Sequence, residues 1–385
     1  MNRTDIHKIK LERLSNWIRG MSQPPVRIDI EPTNSCNLKC LFCWTRSQKR
    51  LSYCNYKEIL SEKRIIEILH EAAKIGAVEW QIAGGWEPMI KPNLIAKMTG
   101  IIKSYKMYGC ITTNGTLFTE KIVKHFVEIG WDEILFSLEG PDSEIHDSIT
   151  GIKGSFNKST STMKMFNKWK LKLNKDDPKY SFHAVLTNKN YDKLSEMIEL
   201  GHELGCEGVN FEPISVWSKE GEKLRLNEVQ KIEVQKYAKE ALKLARKLSI
   251  HTNIENLMQP RLIEKMDMDK LLRESLNDKV DMIIINSPCF DPWLNLEIRI
   301  NGRVAPCRLC NDDASCDSII QKDLKSIWYG EFFEEFRKQM IQKDMPSYCY
   351  TCAAGNVVAM KKFRKELIEV LRPLSIMKIK NFMGL

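Results

Sequence analysis

Six short runs of β-forming residues, each followed by a longer segment with the apolar spacing of a helix, constrain this chain more than any other feature. Strands that alternate with helices form parallel sheets, because each helix carries the chain back to the end where the next strand begins. A closed barrel of this kind has eight strands, so six predict a partial (β/α)6 barrel of the α/β class. The runs are VRIDIEP from Val26, AVEWQIAGG from Ala77, YGCITTNG from Tyr108, DEILFSLEG from Asp132, YSFHAVLTN from Tyr180 and GVNFEPISV from Gly208.

Polar side chains alternate with apolar ones along several of these runs. In a barrel the outer face must be apolar to hold the helices, so the polar face lines the lumen. Buried polar groups need partners, so we expect either a polar ligand in the lumen or groups that pair with each other and with buried water. The polar positions are Arg27, Asp29, Glu31, Ser181, His183, Thr187, Asn210 and Glu212.

The composition predicts a globular, cytoplasmic protein. Hydrophobic residues make up 43% of the 385, and no apolar run reaches the about 18 residues that a membrane span needs. Residues 1–25 also lack the uninterrupted apolar segment of a signal peptide. In a reducing compartment, the twelve cysteines are expected to bind metal where they cluster rather than to form disulfides.

The net charge of +9 is concentrated at the two ends of the chain. Residues 1–25 contribute +3 and residues 357–385 contribute +5, so the central body is close to neutral. We therefore expect no nucleic-acid groove in it. The basic ends either make a peripheral contact with an anionic membrane or a partner, or pack on the body as helices with a solvated face.

Three closely spaced cysteines follow the first strand, in the segment SCNLKCLFCW. Cys36, Cys40 and Cys43 have no obvious fourth partner, whereas structural zinc usually takes paired cysteines that close four ligands. Iron–sulfur clusters are held by cysteine thiolates, and three of them leave one iron free for a ligand that is not protein. The segment therefore predicts an active cluster at the carboxyl end of the first strand.

This C-x3-C-x2-C segment, together with GGWEP after the second strand, resembles the radical S-adenosylmethionine (radical SAM) superfamily. The resemblance implies that Cys36, Cys40 and Cys43 hold a [4Fe-4S] cluster that binds SAM and splits it to a 5′-deoxyadenosyl radical. It also implies a flavodoxin- or ferredoxin-type electron donor. The cofactor-binding positions that it implies are Phe42 against adenine, Gly84, Gly85 and Glu87 for the SAM amino group, Ser137 for the ribose or carboxylate, and Asn114 and Thr187 at other strand ends.

One segment departs from the superfamily pattern. Relatives often have arginine at the end of H-D-x-x-R-G, where this chain has HDSITG with Thr150 in that position. Lys153, three residues further on, either replaces the missing cation or is an ordinary exposed loop lysine.

A second group of cysteines lies near the carboxyl end of the chain. Alternating apolar residues before and after Asn301-Gly302 predict a type I′ hairpin, which folds the flanking cysteines together. The four thiols resemble the twitch form of the SPASM domain, which implies one auxiliary [4Fe-4S] cluster; zinc is the alternative. The expected ligands are Cys289, Cys307, Cys349 and Cys352, while Cys310 and Cys316 are left either as hydrogen donors near the active site or as inert thiols.

We expect five segments along the chain. They are a basic helical extension (1–25), the radical SAM partial barrel (26–250), a helical linker (251–288), the small twitch/SPASM-like domain of a hairpin plus helix (289–356), and a basic amphipathic tail (357–385).

The leading functional hypothesis is oxidation of a carbohydrate or aminocyclitol alcohol, because the second cysteine group is similar to that of twitch-type dehydrogenases. Glu212 or His183 would take the hydroxyl proton, which requires only hydrogen-bond reach. Epimerisation with hydrogen donated by Cys310 or Cys316 is a second hypothesis, and modification of a peptide or protein is a third. Against the third, many peptide-modifying relatives carry a leader-binding module that residues 1–25 are too short to form. A zinc-stabilised binding protein without catalysis is the alternative from another class.

Overall fold

The computed structural model describes residues 1–46, 59–258, 287–308, 310, 316–346, 349, 352, 356 and 359–371. The described strands are β1 (Arg27–Ile30), β2 (Glu79–Ile82), β3 (Tyr108–Thr113), β4 (Glu133–Ser137), β5 (Lys179–Leu186), β6 (Gly208–Pro213), β7 (Asn295–Ile298) and β8 (Val304–Ala305). The described helices are α1 (Arg3–Ile18), α2 (Glu62–Ile75), α3 (Pro92–Ser104), α4 (Glu120–Glu128), α5 (Ser143–Thr150), α6 (Ser155–Leu173), α7 (Leu194–Leu204), α8 (Lys219–Glu222), α9 (Glu228–Leu248), α10 (Asp291–Leu294), α11 (Leu324–Trp328) and α12 (Glu331–Gln342). Short 3-10 turns cover Trp44–Arg46, Pro88–Ile90 and Ile254–Met258, and residues 359–371 are helical.

All six predicted strands are present and pair in parallel, which confirms the predicted α/β class. Within the described residues they belong to one sheet of order β6-β5-β4-β3-β2-β1-β7-β8. The sheet continues past β1 because β7, from the second cysteine region, pairs in parallel with β1 over Arg27↔Asn295 to Ile30↔Ile298. The sequence did not predict this pairing, which makes the hairpin part of the barrel sheet.

The face of the sheet that carries the helices is apolar, as the alternation predicts. Along β5 the side chains alternate between fully buried positions, such as Phe182, and half-buried ones, such as His183. Helix α2 packs on this apolar side through Ile65 and Ile68, both fully buried. Its N-cap is Ser61, whose side chain accepts a hydrogen bond from the Arg64 amide. Its C-cap is Gly76, whose φ of 96° suits glycine.

The basic helix α1 closes the amino-terminal end of the barrel. Arg3 pairs with Glu79 (Nη1–Oε1 2.5 Å) and with Glu133, and Lys10 also pairs with Glu79 (Nζ–Oε2 3.2 Å). Glu79 has no exposed side-chain surface, so it needs these cations. Arg3 and Lys10 therefore contact the fold, which agrees with the alternative that the basic ends pack on the body.

The described part of the carboxyl-terminal tail packs on the body in a similar way. Arg364 is buried and donates to the Ser287 carbonyl (2.7 Å), and Leu367 and Leu371 are buried as well. Residues 372–385 lie outside the described residues, as do residues 259–286 of the predicted linker. In the described residues, no helix is both long enough and apolar enough to cross a membrane.

The β7–β8 hairpin folds back as predicted, but its turn differs from the predicted type I′. That turn needs positive φ at both Asn301 and Gly302, and only Gly302 has it, at 79°. The Arg299 amide donates to the Arg303 carbonyl and the Gly302 amide donates to the Arg299 carbonyl, which defines a three-residue loop with glycine in the left-handed position. The added residue lets the hairpin turn without strain at Asn301.

Candidate active site

The three cysteines after β1 lie in one loop whose donors point at their sulfur atoms. Cys36 Sγ accepts from the Leu38 amide (3.4 Å) and lies 4.0 Å from Asn114 Nδ2, while Cys43 Sγ lies 3.0 Å from Thr45 Oγ1. Burial raises the pKa of Cys40 well above its usual value, and Glu139 and the thiols of Cys43 and Cys36 add to the effect. The three predicted thiols therefore share one loop, in which Cys36 and Cys43 affect the ionisation of Cys40.

The GGWEP turn after β2 packs directly against this loop. A Cβ on Gly84 would lie 2.5 Å from Cγ of Glu31, and one on Gly85 would lie 2.0 Å from Cγ2 of Thr45. The Glu87 amide donates to the Ser35 carbonyl (3.1 Å). Both glycines are thus needed for close approach, and the two sequence motifs form one surface at the carboxyl ends of β1 and β2.

Glu87 is buried, and its carboxylate accepts three hydrogen bonds from the protein itself. The donors are Thr113 Oγ1 (2.7 Å), the Asn114 amide (2.7 Å) and the Met89 amide (2.9 Å). Burial raises the pKa of Glu87, and these hydrogen bonds oppose the rise. The side chain holds the turn to the end of β3, so a ligand amino group at this turn would meet backbone carbonyls first.

The remaining predicted cofactor positions differ in how open they are. Phe42 and Ser137 are half-buried, and Ser137 lies beside His183 in the β4–β5 register. Asn114 donates to Asn37 Oδ1 (2.9 Å), whereas Thr187 is fully buried and donates from Oγ1 to Asn190 Oδ1 (3.1 Å). Thr187 therefore stabilises the turn after β5 and offers no exposed group.

Thr150 is the last residue of α5, and its side chain is hydrogen-bonded to the protein. Its hydroxyl donates to the His146 carbonyl (3.0 Å) and lies 2.8 Å from Ser155 Oγ, and the side chain is buried. Its carbonyl accepts from the Lys39 amide (2.9 Å), so the end of α5 supports the cysteine loop. Lys153 is exposed, and no described side chain pairs with it.

The cysteines of the second group influence one another's ionisation. Burial raises the pKa of Cys289 well above its usual value, and Cys307 and Cys352 contribute to the rise. Burial and the neighbouring Cys352 raise the pKa of Cys349 to about 12. Backbone and side-chain donors approach these sulfur atoms too: the Asp291 amide lies 3.5 Å from Cys289 Sγ, and Asn356 Nδ2 lies 3.7 Å from Cys352 Sγ.

Cys310 and Cys316 lie with this second group and share its apolar surroundings. Cys310 is buried, and its amide donates to the Cys307 carbonyl (3.3 Å). Cys316 is half-buried and packs against the same hydrophobic cluster. Their expected role as hydrogen donors would require the substrate to reach this hydrophobic cluster.

Arg299 joins the two thiol regions, and no sequence motif predicted this role. Its Nη1 donates to Glu31 Oε1 (3.1 Å), and Glu31 is the residue against which Gly84 packs. Its Nη2 donates to the carbonyls of Arg308 (2.5 Å) and Cys310 (3.4 Å). Both charged side chains are 1% exposed, so one buried ion pair ties the end of β1 to the loop that carries Cys307 and Cys310.

The lumen faces of β5 and β6 carry His183, Asn210 and Glu212. The register pairs His183 with Asn210 and Val185 with Glu212. Burial lowers the pKa of His183 and raises the pKa of Glu212, so the imidazole is neutral at pH 7 and protons bind the carboxylate more readily. The two residues predicted to be proton acceptors therefore lie on adjacent strands of one face.

Glu139 and His146 were not predicted as site residues, although SLEG and HD stand out in the sequence. Burial raises the pKa of Glu139 to about 8, and its carboxylate accepts from the Val185 amide (2.7 Å). The Glu139 amide donates to Nδ1 of His146, and burial lowers the pKa of that histidine to about 4. The pair ties the end of β4 to α5 beneath the cysteine loop.

Both thiol groups fit an iron–sulfur cluster in their donor chemistry. Thiolates accept hydrogen bonds from amides, and such bonds to sulfur are one way in which proteins set the potential of a cluster. Clustered thiols raise one another's pKa, and coordination to a metal removes that cost because it binds them as thiolates. Among the described residues, no three His, Cys, Asp or Glu side chains form a group that could hold a single metal ion.

Comparison with known proteins agrees with this arrangement. The family described as "Radical SAM superfamily" matches residues 30–201, and the family described as "Iron-sulfur cluster-binding domain" (SPASM) matches residues 289–353. The PqqA peptide cyclase of Rhizobium meliloti (strain 1021) is 23% identical over 341 residues, which cover 87% of this chain and 81% of the relative. The AdoMet-dependent heme synthase of Methanosarcina barkeri is 25% identical over 187 residues, 49% of this chain and 50% of the relative.

A solved structure shows the same fold. Streptococcus suis SuiB bound to S-adenosylmethionine has a TM-score of 0.60 and 19% identity, with 84% of this chain and 68% of that chain covered. At this identity the likeness establishes the fold alone. By the two family matches, residues 30–201 form a radical SAM domain and residues 289–353 a SPASM domain, and these two domains use SAM and two [4Fe-4S] clusters. These two domains argue against the alternative of a zinc-stabilised binding protein without catalysis.

Proposed function

We propose that this radical SAM enzyme modifies a peptide. The observation that carries the proposal is the match to the PqqA peptide cyclase, which extends over both the barrel and the SPASM region and covers 81% of the relative. The match to the heme synthase covers only half of each chain, so it supports the shared chemistry rather than a substrate. The comparisons thus favour a peptide over the carbohydrate alcohol that the sequence first pointed to.

The proposed function uses two sites, one for the SAM-binding cluster and one for the auxiliary cluster. In this proposal Cys36, Cys40 and Cys43 hold the cluster that binds SAM, and the backbone at Gly84 and Gly85 receives the SAM amino group. Phe42 lies against the adenine, and Ser137 lies near the ribose or carboxylate. The auxiliary ligands are Cys289, Cys307, Cys349 and Cys352. When bound, these groups supply a 5′-deoxyadenosyl radical that removes a hydrogen atom from the substrate and a second cluster able to accept the remaining electron.

His183 is the proposed proton acceptor on the lumen face of β5. Its pKa is lowered by burial, so the imidazole is neutral at pH 7 and has a free nitrogen lone pair. It lies beside Ser137 in the strand register, close to the proposed SAM position. A proton released as the substrate is oxidised can therefore be taken up within the lumen.

The test is an anaerobic assay of the reconstituted enzyme with SAM, a reductant and two panels of compounds. One panel contains synthetic peptides from short open reading frames beside the gene, and the other contains aminocyclitols and neutral sugars. We expect 5′-deoxyadenosine to form faster with a peptide, together with a change in that peptide's mass, and neither change with Cys40→Ala. If only a sugar alcohol accelerates 5′-deoxyadenosine formation and loses two hydrogens, the peptide proposal is wrong and alcohol oxidation takes its place.

A further inference from the structure

Both outer edges of the sheet are covered by the chain itself. On β6, the Val209 amide donates to the His251 carbonyl (2.9 Å), and the Phe211 amide and carbonyl bond to the Asn253 side chain (2.8 and 2.9 Å). On β8, the Val304 amide donates to the Asp317 carbonyl (3.0 Å). A peptide that added a strand would need these backbone groups, so recognition within the barrel must use side chains.

Glu212 is placed to supply such recognition. Glu212 lies two residues after Asn210 on the same face of β6, near the carboxyl end of the strand, and the cysteine loop and the GGWEP turn lie at the carboxyl ends of β1 and β2. In the part of the chain that the structure describes, the Glu212 carboxylate has no hydrogen-bond or ion-pair partner. Burial alone raises the pKa of Glu212, with no nearby cation to offset the rise. A half-buried carboxylate of this kind is stabilised by any cation that reaches it.

The surrounding charged groups are already matched. Across the lumen, Arg299 pairs with Glu31, and Arg308 pairs with Asp29 (3.3 Å) and Glu297 (3.4 Å). At the carboxyl ends of β2 and β4, the carboxyl groups of Glu87 and Glu139 accept hydrogen bonds from the protein. His183, which lies on the adjacent strand β5 and pairs in the register with Asn210, is neutral at pH 7. Among the described residues that face the lumen, Glu212 is therefore a carboxylate without a paired cation or a hydrogen-bond donor.

We propose that Glu212 binds a primary ammonium group of the substrate, which in a peptide is a lysine side chain. That the substrate is a peptide rests on the proposed function. That the bound group is an ammonium does not, because it follows from the negative charge of Glu212. An ammonium donates charge-assisted hydrogen bonds to a carboxylate, and Asn210 Oδ1 and His183 lie on the same face to accept others. Binding through Glu212 leaves His183 as the proton acceptor and fixes which residue of the peptide faces the proposed SAM position.

The experiment uses the anaerobically reconstituted enzyme and pairs of probes that differ in one charge. The first pair is a short fluorescent peptide with lysine at one position and its twin with norleucine, which has a similar length and no charge. The second pair is glucosamine and glucose. Binding is measured by fluorescence anisotropy for the peptides and by equilibrium dialysis for the sugars, so that the readout does not depend on turnover. The variants are Glu212→Gln, Glu212→Lys and, as a control, Glu203→Gln, which changes an exposed acid on α7.

The wild-type enzyme and Glu203→Gln are expected to bind the charged member of a pair about tenfold more tightly than the neutral one. Glu212→Gln should reduce this ratio to about twofold or less, and Glu212→Lys should favour a glutamate peptide instead. If glucosamine shows the preference and no peptide binds, the ammonium site stands and the peptide proposal fails. If wild type binds the members of both pairs equally, or Glu212→Gln retains the preference while iron content and circular dichroism are unchanged, the inference is overturned.

Discussion

Gly85→Ala tests the contact on which the proposed SAM site depends. Gly85 has no positive φ, so alanine suits its backbone and the effect of the change is steric. The new Cβ would lie 2.0 Å from Thr45 Cγ2, well inside the 3.4 Å at which ordinary contact begins. Forcing an extra methyl group into a packed region costs about 1–3 kcal/mol, equivalent to about 5- to 150-fold in an equilibrium constant.

The overlap can be relieved without losing the neighbouring hydrogen bond. Thr45→Ser removes the Cγ2 methyl group and keeps Oγ, which lies 3.0 Å from Cys43 Sγ. The next contacts of the new Cβ, Cζ2 of Trp44 at 3.3 Å and Cβ of Thr45 at 3.4 Å, are close to tolerable. The double variant Gly85→Ala/Thr45→Ser should therefore recover most of what Gly85→Ala loses.

The assay follows SAM affinity by equilibrium dialysis and cluster content by iron and sulfide analysis after anaerobic reconstitution. We expect Gly85→Ala to bind SAM at least about fivefold more weakly than wild type, and the double variant to come within about twofold of wild type. Thr45→Ser alone serves as the control and should bind SAM as wild type does. A Gly85→Ala enzyme with wild-type affinity, or a double variant no better than the single one, would show that the two motifs do not meet as described.

Three further predictions concern buried charges. Arg299→Gln leaves Glu31 buried without its cation and should lower the free energy of unfolding by about 3–5 kcal/mol in denaturant titrations, whereas Glu31→Gln/Arg299→Gln should lose clearly less than the sum of the single changes. Burial lowers the pKa of His146 to about 4, so the neutral imidazole contributes about 3 kcal/mol at most to the free energy of unfolding above pH 6.5, and this is lost as the pH falls towards 4. The free energy of unfolding of His146→Asn should therefore change less between pH 6.5 and pH 4, and an equal slope in both proteins would contradict the assignment. Arg3→Met should destabilise the protein less, by about 1–3 kcal/mol, because buried Glu79 loses one cation and keeps Lys10, while Arg19→Met, at an exposed position, should stay within about 0.5 kcal/mol of wild type.

The sequence predicted what depends on local spacing. Strand runs such as YSFHAVLTN alternate with a period of two, and the C-x3-C-x2-C segment follows the first strand directly, so both could be recognised without tertiary information. The placement of His183 and Glu212 on one face also followed from that period. The residues of a motif are thus less informative alone than together with their position at the end of a strand.

What the sequence could not predict depends on residues that are distant along the chain. Arg299 and Glu31 are 268 positions apart, and nothing near either residue indicates the other. The closing of the barrel by Arg3 likewise depends on where α1 packs, which charge counts cannot reveal. Glu87 was assigned by analogy to a ligand contact, and Thr150 stands where relatives often have arginine. The hydrogen bonds of both side chains are with the protein, because each helps to fix a turn beside the cysteine loop.

The pairing of β7 with β1 has a consequence for how this protein can be divided. β1 is an interior strand only because β7 borders it on the side away from β2. A chain cut after the barrel would turn β1 into a bare edge and open its backbone to other molecules, which favours aggregation. The SPASM segment is therefore a poor module for exchange between relatives, since a transplanted one must reproduce the register from Arg27↔Asn295 to Ile30↔Ile298 as well as its own cysteines.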